Sequence, residues 1–324
     1  MDRRGFVVSA SGLLLAPALA RAQSDSRRHV VGFMLGATPD SVTSLYESLR
    51  EGLRDRGYVE GRNLLIEARY GHGRMERLPQ LVEELVRVPV EVIVTGTSIH
   101  VAAVRSVTKT VPTVMVFTSD PVGAGFIDSL SRPGSNVTGL SADASPELWA
   151  KYLGLLREVQ PKLSRVSVLG QVAAKSGFAE LAVASRAQGI AMDVADLKEP
   201  GDLDRVFAEA IARRADGMVV IVGPLTYQLR KPIGDLALKH RLPTICTLIE
   251  YARAGALMTY GPNLDDLYVR AAAYVDKILR GIKPADLPVE QPSRFELTVN
   301  LQTARTIGVN VPQSLQLLAA AVIE

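Results

Sequence analysis

Cysteine is almost absent from this chain of 324 residues, with Cys246 the only one. A lone cysteine excludes an internal disulfide framework and any zinc site built on cysteines. The four histidines show no spacing typical of metal ligands, and aromatic residues make up only 5% of the chain. We therefore expect no bound metal or cofactor, and few aromatic rings that stack on a ligand.

Net charge is also low. Lys and Arg number 37 against 34 Asp and Glu, which leaves a formal charge of +3. So small a surplus does not favour a nucleic-acid partner, which usually requires a concentrated basic surface. Apolar residues make up 47% of the chain, so it can bury a large core and, at this length, form two domains.

Residues 1–22 have the pattern of an export signal. An Arg-Arg pair supplies a charged start, and a largely apolar run of 16 residues, 5–20, follows it. That run is short for a membrane span, which needs about 20 residues. Small residues at Ala20 and Ala22 predict cleavage after Ala22 and a mature protein in the periplasm. The paired arginines resemble a twin-arginine signal, and an ordinary secretory signal is the alternative.

Short apolar runs alternate with amphipathic segments from His29 onward. In the first of these segments Leu45, Leu49 and Leu53 recur at helical spacing. The apolar runs are rich in Val and Ile and lack polar alternation, which is typical of parallel strands covered on both faces. The rhythm restarts after residue 142. It predicts an α/β fold of two doubly wound, Rossmann-like lobes with parallel sheets.

The end of the chain departs from this alternation of strand and helix patterns. The pattern predicts a helix over Leu264–Leu279, an extended link over Pro288–Pro292 and a strand over Phe295–Val299. A late helix joined by a link to a late strand indicates that the chain crosses between the lobes more than once. Before this region, the pattern predicts one continuous helix over Leu225–His240.

Polar side chains follow most of the expected strands, at the point where each strand ends. In open parallel sheets, ligands bind beyond these carboxyl ends. Helix N-termini offer backbone N–H groups that suit a carboxylate, and Asp120 is a candidate to oppose an ammonium group. The set suits a small zwitterion such as an amino acid, although Ser, Thr and Asp also cap helices at such positions. The candidate ligand-binding residues are Thr38, Asp40, Gly96, Thr97, Ser98, Thr118, Ser119, Asp120, Gln171, Thr226, Thr247 and Tyr260.

Catalytic patterns are weaker. The chain has no Gly-x-Ser-x-Gly nucleophile elbow, and its glycine-rich stretches match neither a phosphate loop nor a dinucleotide fingerprint. His100 and Asp120 are the candidate bases of an alternative function, an exported α/β enzyme such as an amino-acid isomerase. No paired acid and base stand near the expected strand ends, so a binding protein without catalytic activity is favoured.

Several stretches resemble a family of ABC transporter substrate-binding proteins. Pro112–Gly125 contains Asp-Pro-Val-Gly, and Leu130–Ser141 contains Arg-Pro-Gly-Ser-Asn-Val-Thr-Gly, in which the family usually has a second glycine at the place of Ser135. The tail Phe295–Ala304, continuing to Leu315, is similar to the family's ending. The resemblance covers essentially the whole chain, and the family includes receptors for tryptophan and other aromatic amino acids.

The resemblance implies a type I periplasmic-binding architecture, in which three hinge crossovers join two lobes that close on a ligand. Lobe 1 is expected to comprise residues 29–141 and 262–290, and lobe 2 residues 142–261 and 291–324. The turn Gly96–Ser98 and the loop Thr118–Asp120 are expected to line the cleft. The aromatic candidates for packing against a ligand are Phe117, Tyr227, Tyr251 and Tyr260.

The expected function is that of a periplasmic receptor. By this resemblance the protein captures a small polar solute, with an amino acid as the leading class, and delivers it to the permease and ATPase of an ABC transporter. We expect a monomer without enzymatic activity. A ligand-sensing regulator of the same fold is disfavoured, because an export signal stands where a DNA-binding headpiece would begin.

Overall fold

The structure is a computed structural model that describes residues 28–142, 146–172 and 177–324. The expected export signal, residues 1–22, lies outside the described residues. Within the described part of the chain, no helix is both long enough and apolar enough to cross a membrane.

The first sheet is built from five parallel strands. They are β1 (His29–Leu35), β2 (Leu64–Tyr70), β3 (Val92–Thr95), β4 (Thr113–Ser119) and β5 (Val137–Ala142). Their order across the sheet is β2-β1-β3-β4-β5, and every neighbouring pair is parallel. All four residues of the central strand β3 are buried, as expected of an apolar strand with helices on both faces.

The second sheet has seven strands. They are β6 (Arg165–Gly170), β7 (Ala191–Asp196), β8 (Gly217–Val220), β9 (Thr244–Cys246), β10 (Met258–Gly261), β11 (Glu296–Asn300) and β12 (Ala321–Ile323). Their order is β12-β11-β10-β9-β8-β6-β7, and β10 and β11 are antiparallel while the other neighbouring pairs are parallel. The predicted α/β fold with two mostly parallel sheets is confirmed.

Helices connect these strands. In chain order they are α1 (Thr43–Arg54), α2 (Leu78–Arg87), α3 (Ser98–Val107), α4 (Pro146–Val159), α5 (Phe178–Ala187), α6 (Leu203–Ala212), α7 (Pro224–Gln228), α8 (Arg230–Lys239), α9 (Ile249–Arg253), α10 (Leu264–Leu279), α11 (Leu301–Ile307) and α12 (Gln313–Leu318). We call the first sheet with its helices lobe 1 and the second sheet with its helices lobe 2.

The chain passes between the lobes three times. It enters lobe 2 between β5 and α4, returns between β10 and α10, and leaves again on the way to β11. The third link still pairs with β5 at Glu290, whose N–H donates to the carbonyl of Gly139 at 3.0 Å. The carbonyl of Glu290 in turn accepts from the N–H of Ser141 at 2.9 Å. The two lobes are therefore interleaved in sequence, and α10 completes lobe 1.

Helices α1 and α10 pack closely within lobe 1. Leu49 on α1 and Ala272 on α10 are fully buried in the same core. A Cβ atom added at Gly52 would lie 2.6 Å from the carbonyl oxygen of Val269 and 2.8 Å from Cβ of Ala272. A residue with a side chain does not fit at this distance, so Gly52 sets the separation of the two helices.

Gly52→Ala is expected to lower the free energy of unfolding by about 1–3 kcal/mol, because the added methyl group overpacks the helix pair. Gly154 in α4 provides a matched control, since a Cβ atom there has no neighbour within 4 Å. Gly154→Ala should raise the free energy of unfolding by up to about 1 kcal/mol through helix propensity alone. Urea denaturation measures both changes, and an equal change in the two variants would contradict the close packing at Gly52.

The prediction of a single helix over Leu225–His240 is wrong. Two helices, α7 and α8, occupy this region and are separated at Leu229. Pro232 accounts for the break, because proline lacks an N–H and its ring clashes with the carbonyl four residues earlier, here that of Gln228. As a result α7 is short, and it lies at the boundary with lobe 1.

Candidate functional site

An apolar cavity of ≈ 50 Å³ lies between the lobes. Lobe 1 lines it with the segments that follow β1 and β3, the end of β4 and the start of α10. Lobe 2 lines it with the loop between β8 and α7, with α7 itself and with the residue before α9. Six of the apolar and aromatic lining residues are Val42, Leu45, Phe117, Tyr227, Leu264 and Tyr268.

The two lobes touch beside this cavity. A Cβ atom added at Gly36, in the loop after β1, would lie 3.0 Å from Cβ of Pro224 in lobe 2. On the next loop of lobe 1, a Cβ atom at Gly73 would lie 2.0 Å from Oε1 of Gln228. The cleft is therefore closed in this structure, and glycines on the lobe 1 side allow the close approach.

His100 connects two loops of lobe 1 at the wall of the cavity. The side chain is 3% exposed. Its Nε2 accepts a hydrogen bond from the N–H of Gly36 at 2.7 Å, and its Nδ1 lies 3.0 Å from Oγ1 of Thr97. Burial lowers the pKa of His100 from 6.5 to about 4, so the ring is neutral near pH 7. Since both ring nitrogens are engaged, the geometry gives no support to His100 as the base of an isomerase.

Of the sequence-predicted residues, Gly96 and Thr97 line the cavity. Three neighbouring predicted residues hold the turn that carries them. Oγ of Ser98 donates to the carbonyl of Ser119 at 2.8 Å, and Oγ1 of Thr118 donates to the carbonyl of Gly96 at 2.9 Å. These bonds tie the start of α3 to the end of β4 and so fix the position of Thr97.

The other predicted residues of lobe 1 lie away from the cavity lining. Asp120 is exposed, and its Oδ1 accepts a hydrogen bond from the N–H of Gly123 at 2.9 Å, which closes a local turn. Thr38 precedes a short 3₁₀ helix, 39–42, and Asp40 on that helix is exposed. The side-chain hydrogen bond of Asp120 is thus local and does not reach the cavity.

In lobe 2, Gln171 and Thr226 hold the loop between β8 and α7. Oε1 of Gln171 accepts from the N–H of Leu225 at 3.4 Å. Oγ1 of Thr226 accepts from the N–H of Gly223 at 2.8 Å and donates to the carbonyl of Ile221 at 2.9 Å. Gly223 itself lines the cavity, so these two predicted residues position the lobe 2 wall.

Thr247 and Tyr260 meet at a third residue, Tyr152 of α4. The hydroxyl of Tyr152 lies 2.9 Å from Oγ1 of Thr247 and donates to the carbonyl of Tyr260. The ring of Tyr260 stacks on Phe295 with centroids 5.7 Å apart. Both predicted residues thus lie where α4, β10 and the segment before β11 converge, beside the links between the lobes.

Two of the four aromatic candidates line the cavity, and the other two do not. Phe117 and Tyr227 line the cavity. Tyr251 is 1% exposed and packs edge-on against Tyr227 with centroids 6.3 Å apart. The guanidinium carbon of Arg230 lies 4.6 Å from the centroid of the Tyr227 ring. The Tyr227 ring therefore contacts both Tyr251 and Arg230.

Sequence reasoning missed much of the apolar wall. Val42 ends the short 3₁₀ helix 39–42, and Leu45 lies in the first turn of α1. Leu264 and Tyr268 lie one turn apart on α10. Helical spacing assigns such residues to the core, and Tyr268 is only 2% exposed. The available signal was position, because apolar residues in the first turn of a helix that starts at the cleft lie close to the cavity.

Glu250 is a half-buried carboxylate on α9, two residues after the cavity-lining Leu248. Its Oε2 is buried without a hydrogen-bond partner among the described residues. Burial raises the pKa of Glu250, and the carboxylate of Asp265 on α10 adds to the shift. No group of three or more His, Cys, Asp or Glu in the described ranges is placed to hold a metal ion.

Several proteins of known structure or role are similar to this chain. A tyrosine-binding protein of Clostridioides difficile is 22% identical over 262 residues, which cover 80% of this chain and 75% of the relative. The structure of an ABC domain from Streptococcus pneumonia in complex with L-Trp has a TM-score of 0.84 and 20% identity, covering 91% of this chain and 100% of that one.

A ligand-free, open substrate-binding protein with adhesive properties from Clostridium difficile has a TM-score of 0.65 and 20% identity, covering 91% of this chain and 99% of that one. These likenesses confirm the periplasmic-binding-protein fold. The family model of ABC transporter substrate binding proteins matches residues 33–323. That match spans both sheets and the three passages between them, and the chain therefore belongs to the family of ABC transporter substrate-binding proteins.

Proposed function

We propose that this protein captures an amino acid with an apolar or aromatic side chain between its lobes and delivers it to the permease and ATPase of an ABC importer. One observation carries this proposal: the apolar cavity is lined by residues of both lobes, from Val42 and Phe117 on one side to Tyr227 and Leu248 on the other. A ligand held there contacts both lobes at once, so it stabilises the closed state over the open one.

The character of the walls supports the ligand class. Aliphatic and aromatic side chains suit an apolar side chain of the ligand, whereas a sugar requires a hydrogen-bonding group for nearly every hydroxyl. Nearly all of the surface that faces the cavity is apolar. Relatives that bind tyrosine and tryptophan fit the same class.

The remaining features of the proposal rest on the sequence. The first 22 residues are proposed to direct export to the periplasm, with cleavage after Ala22. We propose that the mature protein acts as a monomer, binds no nucleic acid and catalyses no reaction. Proteins of this family bind small molecules and pass them to membrane permeases, which supports a binding role for this chain.

Thermal unfolding in the presence of single amino acids tests the proposal. At a concentration 100 times the Kd, a ligand of the native state stabilises it by about 2.7 kcal/mol, which raises the melting temperature by several degrees. We expect L-tyrosine, L-tryptophan or a branched aliphatic amino acid to give this rise, and their D-enantiomers to give none. A panel of all common amino acids that left the melting temperature unchanged would contradict the proposed ligand class.

A further inference from the structure

Phe117 has an unusual backbone conformation for a strand residue. It lies inside β4, yet its φ angle is +61°, in the left-handed region that bulky residues rarely adopt. Across residues 28–142, 146–172 and 177–324, the other non-glycine residues with positive φ lie outside the strands and helices, and they are His72, Asp120, Arg214 and Arg241. Such a conformation costs backbone free energy and persists only where the surrounding structure holds it, which makes Phe117 a candidate for a functional constraint.

The left-handed residue coincides with a β-bulge in the pairing of β4 with β5. Val116 pairs with Leu140 and Thr118 pairs with Ser141, so Phe117 is an extra residue of β4 without a partner in β5. The pairing of the two strands continues on both sides of the bulge. Bulges are rare between parallel strands, and near functional sites they redirect a side chain.

The bulge brings two successive residues of β4 to the cavity between the lobes. In a regular strand, successive side chains point to opposite faces of the sheet. Val116 and Phe117 nevertheless both line the cavity, and Phe117 is 8% exposed. Since nearly all of the surface that faces the cavity is apolar, Phe117 presents carbon atoms to it. A regular strand with Val116 at the cavity would turn Phe117 away from it.

Phe117 also differs from the other Phe and Tyr rings of the cavity in its contacts. Tyr227 packs against Tyr251, and Tyr268 packs against Phe33 with centroids 6.0 Å apart. Phe117 has no ring partner among the residues that the structure describes. Two aromatic rings in an offset or edge-on arrangement stabilise each other beyond the area that they bury. Phe117 is therefore the ring of this cavity whose partner can come from a ligand.

We propose that the bulge turns the ring of Phe117 into the cavity, and that this ring selects a ligand with a flat aromatic side chain over one with a branched aliphatic side chain. The inference rests on the function proposed above and names the residue that sets the choice within the proposed ligand class. A flat ring of the ligand packs on the Phe117 ring in an offset or edge-on arrangement, whereas a branched side chain gains only from the area that it buries.

Urea denaturation of glycine and alanine variants tests the backbone part of the proposal. Glycine destabilises a regular strand relative to alanine, but it adopts a positive φ without steric strain. We therefore expect Phe117→Gly to unfold at a higher urea concentration than Phe117→Ala. Val94, a buried residue of the regular strand β3, is the matched control, and Val94→Gly should unfold at a lower urea concentration than Val94→Ala. The same order at Phe117 as at Val94 would overturn the proposal, because the strained bulge would then be absent.

Isothermal titration with L-tryptophan, L-tyrosine and L-leucine tests the selection. Phe117→Leu keeps an apolar side chain but removes the ring, and we expect its Kd for the two aromatic ligands to rise about three- to tenfold. Its Kd for L-leucine should stay within about twofold of the unaltered protein. Phe207→Leu is the matched control, because Phe207 is fully buried on α6 of lobe 2 and does not line the cavity. It should leave all three Kd values unchanged.

The possible outcomes distinguish this inference from the proposed function. An unchanged Kd for both aromatic ligands in Phe117→Leu, or an equal rise for L-leucine, would overturn the role of Phe117 and leave the proposed function standing. A preference of the unaltered protein for L-leucine over both aromatic ligands would have the same consequence. If no amino acid bound the unaltered protein, the proposed function would fail and this inference with it.

Discussion

Ala37→Leu is expected to weaken amino-acid binding at least about 100-fold, a loss of about 2.7 kcal/mol of binding free energy. Ala37 lines the cavity and is 4% exposed. Leucine adds three carbon atoms at the wall of the cavity between the lobes. Because the added side chain and the ligand compete for the same space, the variant should bind neither L-tyrosine nor L-tryptophan at concentrations that saturate the unaltered protein.

The control for this substitution is Ala208→Leu. Ala208 is exposed on α6, a helix of lobe 2 that does not line the cavity. The same change of side chain there should leave the Kd within about twofold, and circular dichroism should show that both variants are folded. Normal ligand affinity in Ala37→Leu would show that the ligand binds elsewhere.

Acid is expected to destabilise the protein through His100, with most of the effect between about pH 6.5 and pH 4. The pKa of this residue falls from 6.5 in the unfolded chain to about 4 in the folded protein because of burial. The unfolded chain therefore binds a proton first as the pH falls, so the contribution of His100 to stability is complete above pH 6.5 and is lost as the pH falls towards 4. By the linkage relation the loss amounts to about 3 kcal/mol.

Urea denaturation at pH 7, 5.5 and 4 measures this effect. Carboxylates also titrate over part of the range, so the comparison is with His100→Gln, which lacks the titrating group. The unaltered protein should lose about 3 kcal/mol more than the variant between pH 7 and pH 4. Parallel curves for the two proteins would show that His100 is not held neutral by burial.

The sequence predicts the fold well because the spacing of apolar residues shows which faces of the helices and strands are buried. Apolar runs such as Val92–Thr95 are strands that are buried on both faces, and the late helix Leu264–Leu279 has the bounds that its spacing predicts. The break at Leu229 was missed, since an amphipathic pattern continues across it. The antiparallel pairing of β10 with β11 was also missed, because strand direction depends on how a link crosses between lobes, which no local pattern records.

The candidate site is harder to predict for a related reason. A rule based on strand ends selects Gly96, Thr97 and Asp120 equally. Only the geometry shows that Gly96 and Thr97 line the cavity and that Asp120 closes a turn with Gly123. Tyr268 could not be found in this way, because it enters the cleft from α10, far along the chain from the other residues of lobe 1. The spacing of Tyr268 on its helix would be the same whether its side chain packed against the core or faced the cavity.

The packing of α10 on α1 also has a consequence for biosynthesis. Leu49 of α1 lies in one core with Ala272 of α10, so the contact joins residues more than 200 positions apart. While the ribosome is still making β6 to β9, the nascent first lobe lacks the helix that covers Leu49 and Leu53. We therefore expect the nascent lobe to stay incompletely folded, with this apolar surface open to chaperones, until four-fifths of the chain has been translated.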